Sequence, residues 1–66
     1  MQIAKFENIE SGLSAEVLQI NAGAYRLLLV DIDANEEYAN QIYKVGTADP
    51  IALVASLTAK AREFAA

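Results

Sequence analysis

The sequence predicts an α+β fold, a small antiparallel β-meander of three to four strands with one C-terminal helix packed on one face. Three observations carry this. The run Ala24 to Asp33 is apolar on both of its alternating faces, with Tyr25, Leu27 and Leu29 on one and Leu28, Val30 and Ile32 on the other. A strand that alternates apolar with polar covers one face, whereas a continuous apolar run points to burial on both. Turn chemistry brackets this run and the one before it, at Glu10-Ser11-Gly12 and Asn21-Ala22-Gly23. Finally, Asp49-Pro50 opens a segment with helical spacing. An aspartate there accepts from free helix amides, and proline at the first helical position loses no hydrogen bond.

Taken in order, residues 2–9 form a first strand with Ile3, Phe6 and Ile9 as its apolar members, and residues 13–21 a second with Val17, Leu18 and Ile20. Asn21-Ala22-Gly23 fits a three-residue hairpin loop that ends on a left-handed glycine. That register pairs Ile20 with Ala24 and Leu18 with Arg26. It gathers Leu18, Ile20, Leu28, Val30 and Ile32 on one face and Val17, Tyr25, Leu27 and Leu29 on the other. A two-residue Ala22-Gly23 turn shifts the pairing by one and mixes the two sets. The third strand spans residues 24–33. Residues 34–37 are a polar connection, and a fourth strand covers residues 41–45, with a helical turn through 35–41 as the alternative to an earlier start.

The helix spans residues 50–65. At 100° per residue Leu53, Val54, Leu57, Ala61 and Phe64 share one stripe, and Ala52, Ala55 and Ala59 form a second line. Alanine is the best helix former, which accounts for that second line without a partner. Lys60 and Arg62 suit the negative end of the helix dipole.

Size and composition bound the chemistry. The 66 residues form one domain, over 1–66, with no cysteine or histidine. Chains of this size bury only about 60% of the surface they expose when unfolded, so a homo-oligomer, or a fold with a good deal of core per residue, is expected. Without His or Cys there is no Ser–His pair, imidazole base, thiol nucleophile or usual zinc site. Asp31-Ile32-Asp33-Ala34-Asn35 matches the first ligands of a calcium loop. The sixth position is Glu36 instead of Gly and the twelfth Ile42 instead of Glu, so no metal is expected. The carboxylates Asp31, Asp33, Glu36 and Glu37 lack an accompanying nucleophile, and no glycine-rich phosphate loop is present. No cofactor or enzyme activity is expected.

The net charge of −4 is uneven. Residues 1–37 hold Glu7, Glu10, Glu16, Asp31, Asp33, Glu36 and Glu37 against Lys5 and Arg26, and residues 38–66 hold Asp49 and Glu63 against Lys44, Lys60 and Arg62. An acidic first half argues against direct nucleic-acid binding. No run of about 18 apolar residues spans a membrane, and a cytoplasmic protein is expected.

One helix of about 24 Å covers one face of a small sheet. The helix is expected to cover Leu28, Val30 and Ile32. The face with Val17, Tyr25, Leu27, Leu29 and Tyr43 is then left to another chain, most simply in a two-fold dimer, with the N-terminal segment folding back over it as the alternative. Asp31, Asp33, Glu36 and Glu37 form an acidic rim beside it. The functional expectation is a small acidic, non-enzymatic protein-interaction domain. It binds, and in its most specific form inhibits, a protein such as a nucleic-acid-binding machine, as small phage or mobile-element proteins do. The alternative is a self-assembling scaffold subunit.

Overall fold

In the computed structural model, which describes residues 1–66, β1 (Gln2–Asn8), β2 (Leu13–Asn21), β3 (Ala24–Asp31) and β4 (Glu36–Lys44) form one antiparallel sheet in chain order. The helix α1 (Pro50–Phe64) lies on one face, chiefly over β2, then β3 and β1. The α+β meander with a C-terminal helix is therefore the fold of this chain.

Each turn is closed by a named polar group. Between β1 and β2, the Asn8 side-chain oxygen accepts from the amides of Glu10 and Ser11 at 3.1 and 3.3 Å. Gly12 follows at φ +74° and donates to the Asn8 carbonyl at 2.8 Å. A left-handed backbone there favours glycine, which has no Cβ to clash.

The β2–β3 turn differs from the three-residue loop expected for Asn21-Ala22-Gly23. Asn21 pairs directly with Ala24, leaving a two-residue turn, and the register shifts between Gln19 and Asn21. Gly23 is not in the left-handed region. The Asn21 side-chain oxygen instead accepts from the Gly23 amide at 2.9 Å. Ile20 is the extra residue of a β-bulge, which restores the pairing of Leu18 with Arg26. A two-residue turn thus keeps the two face sets apart because a bulge absorbs the slip.

The strand after it ends earlier than expected, at Asp31, and the next begins earlier, at Glu36 instead of residue 41. The helical turn considered for 35–41 does not form. Residues 32–35 make the turn, where Asp31 Oδ1 accepts from the Ala34 amide at 3.0 Å and Asn35 takes φ +54°. A second bulge shifts the β3–β4 register, with Leu29 opposite Ala39 and Val30 opposite Glu37. Ile32, expected beneath the helix, lies exposed in this turn.

The helix starts as its sequence dictates. Asp49 Oδ1 accepts from the Ile51 amide at 3.0 Å, and Pro50 occupies the first turn. Leu57 and Ala61 are buried, and Leu53, Val54 and Phe64 pack around them, so the expected stripe faces the sheet. Ala52, Ala55 and Ala59 face outward.

The covered face is the opposite of the one expected. Ala15, Val17, Tyr25, Leu27, Leu57, Ala61 and Ala65 form the core, with Leu29 and Tyr43 packed against it. Val17 is fully buried and Leu57 is 1% exposed. Val17, Tyr25, Leu27, Leu29 and Tyr43 are therefore covered by this chain's own helix and are not left for a partner. Two physical reasons select this face. Its central strands are free of charge until Asp31 at the end of β3, whereas the other face carries Glu16 and Arg26 at its middle, and burying unpaired charges is costly. It also presents Ala15 to a helix that carries Ala61, both fully buried in the same core, so the helix backbone can approach the sheet closely.

Candidate interaction surface

The helix leaves the other face of the sheet open. Its side chains follow from strand alternation. They include Gln2, Ile3, Lys5 and Glu7 on β1, Ser14, Glu16, Leu18 and Ile20 on β2, Ala24, Arg26, Leu28 and Val30 on β3, and Glu37, Asn40, Ile42 and Lys44 on β4. Leu18, Leu28 and Val30 are only half-buried, while Ile3, Ile20 and Ile42 are 37%, 46% and 53% exposed. Fully burying one such side chain is worth about 1.5–3 kcal/mol, so a contiguous group of this kind on a chain with so small a core is a surface suited to contact.

The centre of this face is ordered by the β2–β3 register. Leu18 sits opposite Arg26 and Glu16 opposite Leu28. The four side chains make a quadrilateral with leucines on one diagonal and opposite charges on the other. Arg26 also lies beside Ile42 of β4. Its Nε is out of reach of solvent and donates to nothing, and the chain's single ion pair is Lys5 with Glu7, 3.2 Å apart. Glu16 accepts from the Gln2 side-chain amide instead of pairing with Arg26. A buried guanidinium N–H without an acceptor is costly and is normally satisfied. These two residues carry most of the information on the face, and their opposite charge at one residue-pair offset in the expected register was the signal for them.

The acidic residues are only partly brought together. Asp31 and Glu36 are directly opposite each other where the β3–β4 hairpin opens. With Val30, Ile32, Asn35 and Glu37 they line an open depression of about 370 Å³. Asp33 lies on a different side, where its carboxylate packs against Gly12. The residues of the calcium-like run are thus committed to turn hydrogen bonds and packing, and no three acidic side chains converge on a common point.

The tyrosines separate as well. Tyr25 is in the core, Tyr43 lies at its edge with Lys60 5.8 Å from its ring centroid, and Tyr38 tilts against Phe64 with ring centroids 5.6 Å apart. The negative charge of Glu36, supported by Asp31, raises the Tyr38 hydroxyl above the ordinary tyrosine value of 10.0. What the arrangement offers is apolar area, one unsatisfied cationic donor and dispersed carboxylates. No helix of the chain is long and apolar enough to cross a membrane.

No protein-family model, curated protein or solved structure matches this chain.

Proposed function

We propose that this chain is a small non-enzymatic protein-interaction domain of the cytoplasm whose working surface is the uncovered face of the sheet. Occupation of that face by protein, a second copy or another chain, is the core of the reading. The observation that supports it best is the apolar group around Leu18, Leu28 and Ile42 that surrounds an Arg26 Nε with no acceptor. A partner supplies apolar cover there and a negative charge for the part of Arg26 that solvent still reaches, and burial strengthens a hydrogen bond to a charged group.

Site-specific photo-crosslinking in intact cells tests this. A photoreactive residue replacing Leu28 or Ile42 is expected to yield discrete protein adducts, and one replacing Ala55 on the outer side of the helix is not. Equal adducts from Ala55, or none from the sheet positions, would overturn the reading.

A second reading rests on the pairing of Asp31 with Glu36 beside Glu37 at one end of the sheet. That end suits a basic groove, as in inhibition of a nucleic-acid-binding protein of the kind small phage and mobile-element proteins target. Charge reversal at Glu36 and Glu37 weakens such a complex and makes it less sensitive to salt. A self-assembling scaffold differs from both in giving particles larger than a dimer.

A further inference from the structure

From the open face we infer that its occupant is a second copy of this chain, seated so that Arg26 of each protomer meets Glu16 of the other. This rests on the reading of that face as the working surface and names its partner.

The argument is one of self-complementarity. A two-fold dimer brings a patch against itself, so every group must find its complement within its own patch. Most apolar faces with a charge at their centre fail that condition. This one meets it, because Leu18 and Leu28 occupy one diagonal of a quadrilateral and Arg26 and Glu16 the other. Consider a two-fold axis between two such sheets that runs parallel to the leucine diagonal. It places Leu18 on its own copy and Leu28 on its own copy. The same operation exchanges the ends of the charged diagonal, so that Arg26 faces Glu16 of the second copy, twice.

The crossing angle follows from sheet dimensions. Strands about 4.8 Å apart and two-residue steps of roughly 6.7 Å set the diagonals at about 36° to the strands. A two-fold along such a diagonal crosses the two sets of strands at an angle within about 20° of a right angle. Orthogonal stacking is one of the two preferred ways that sheets pack face to face. Both helices lie on the outside of such a sandwich.

The charges fit this occupant in detail. Arg26 has no ion-pair partner in its own chain and one donor without an acceptor. Glu16 takes the neutral Gln2 amide, and Lys5 across from it pairs with Glu7 instead. Ile42, next to Arg26, and Ile3, at the bulge opposite Leu18, continue the apolar contact on either side of the quadrilateral. An apolar partner would instead leave Arg26 buried and unpaired.

Sedimentation equilibrium on the purified 66-residue chain tests the inference. The chain is expected to be a closed dimer at micromolar concentration. Arg26→Glu or Glu16→Arg alone is expected to weaken the dimer by at least about tenfold, since each sets like charges together at its centre. An equimolar mixture of the two variants is expected to recover the dimer, because both cross-pairs re-form only between unlike chains. Circular dichroism of each variant establishes that it is folded, and recovery on mixing cannot come from an unfolded chain.

A wild-type monomer, a larger assembly, or a dimer indifferent to both substitutions would overturn the inference. So would folded variants that fail to recover on mixing. A monomer that nonetheless crosslinks to a different protein through Leu28 leaves the interaction reading standing and removes only the second copy. A dimer with no crosslink through Leu28 or Ile42 overturns both.

Discussion

The carboxylate of Asp33 occupies the space in which a side chain on Gly12 would begin: a Cβ placed on Gly12 falls 2.5 Å from Asp33 Oδ2. The Ile32 amide also donates to the Gly12 carbonyl at 2.7 Å. The β1–β2 and β3–β4 turns, distant in sequence, are thereby joined at one end of the sheet. Gly12→Ala is expected to lower stability by about 1–2 kcal/mol through its left-handed backbone alone, with a further loss from the contact. Asp33→Ala in that background should recover the contact part and leave the backbone part. Urea unfolding of the two single variants and the double variant checks this, and additive effects would refute the contact.

The core makes a sharper contrast. Leu57 is the largest of the fully buried side chains and belongs to the helix–sheet core. Leu57→Ala is expected to cost about 2–5 kcal/mol. A domain of this length has on the order of 3–10 kcal/mol in total, so the variant should lose a large share of its stability and melt at a much lower temperature. Ile51 lies on the same helix but is 81% exposed. Ile51→Ala should change stability by no more than about 0.5 kcal/mol. Thermal melts followed by circular dichroism distinguish the two.

These contacts also show which features were legible in the sequence. The order of elements, the helix start at Asp49-Pro50, the Leu53–Phe64 stripe and the pairing of Leu18 with Arg26 all follow from local chemistry, and the structure has them. The face taken by the helix did not follow from counting apolar residues, because β3 is apolar on both sides. The deciding quantity is what a helix would have to bury. Over Leu28 and Leu18 it would also cover Glu16 and Arg26, and over Tyr25 and Leu27 it meets Ala15 and Val17. That information was in the sequence, in the charged neighbours of the apolar residues. The bulges at Ile20 and Tyr38 were not, since a one-residue slip leaves the composition of a strand unchanged and is fixed only by the facing strands.

The helix start gives a third prediction. Asp49 Oδ1 satisfies the Ile51 amide, one of the donors that an uncapped helix leaves free. Asp49→Ala is expected to lower stability by about 1 kcal/mol, and Asp49→Asn to retain most of it, because an amide oxygen accepts equally well in this position. Hydrogen exchange localises the effect. Amides of the first helical turn should exchange faster in Asp49→Ala, while those around Leu57 change only with global stability.

The last prediction concerns Tyr38, whose titration is shifted upward. The hydroxyl is raised above 10.0 because ionising it would place a negative charge near that of Glu36, with Asp31 acting in the same direction. A folded-state value above the unfolded one means that the folded chain holds this proton more tightly. The associated stability is therefore fully present below the ordinary tyrosine value and is lost as pH rises through the raised value. Tyr38 is exposed to solvent, so the stability change is small and the titration itself is the better reading. The ring-carbon chemical shift of Tyr38 should titrate above 10.0 in the native chain. Glu36→Gln should bring the midpoint down by removing the leading cause, and Asp31→Asn should lower it less. If Glu36→Gln leaves the midpoint in place, the pairing of Asp31 with Glu36 beside Tyr38 does not persist in solution.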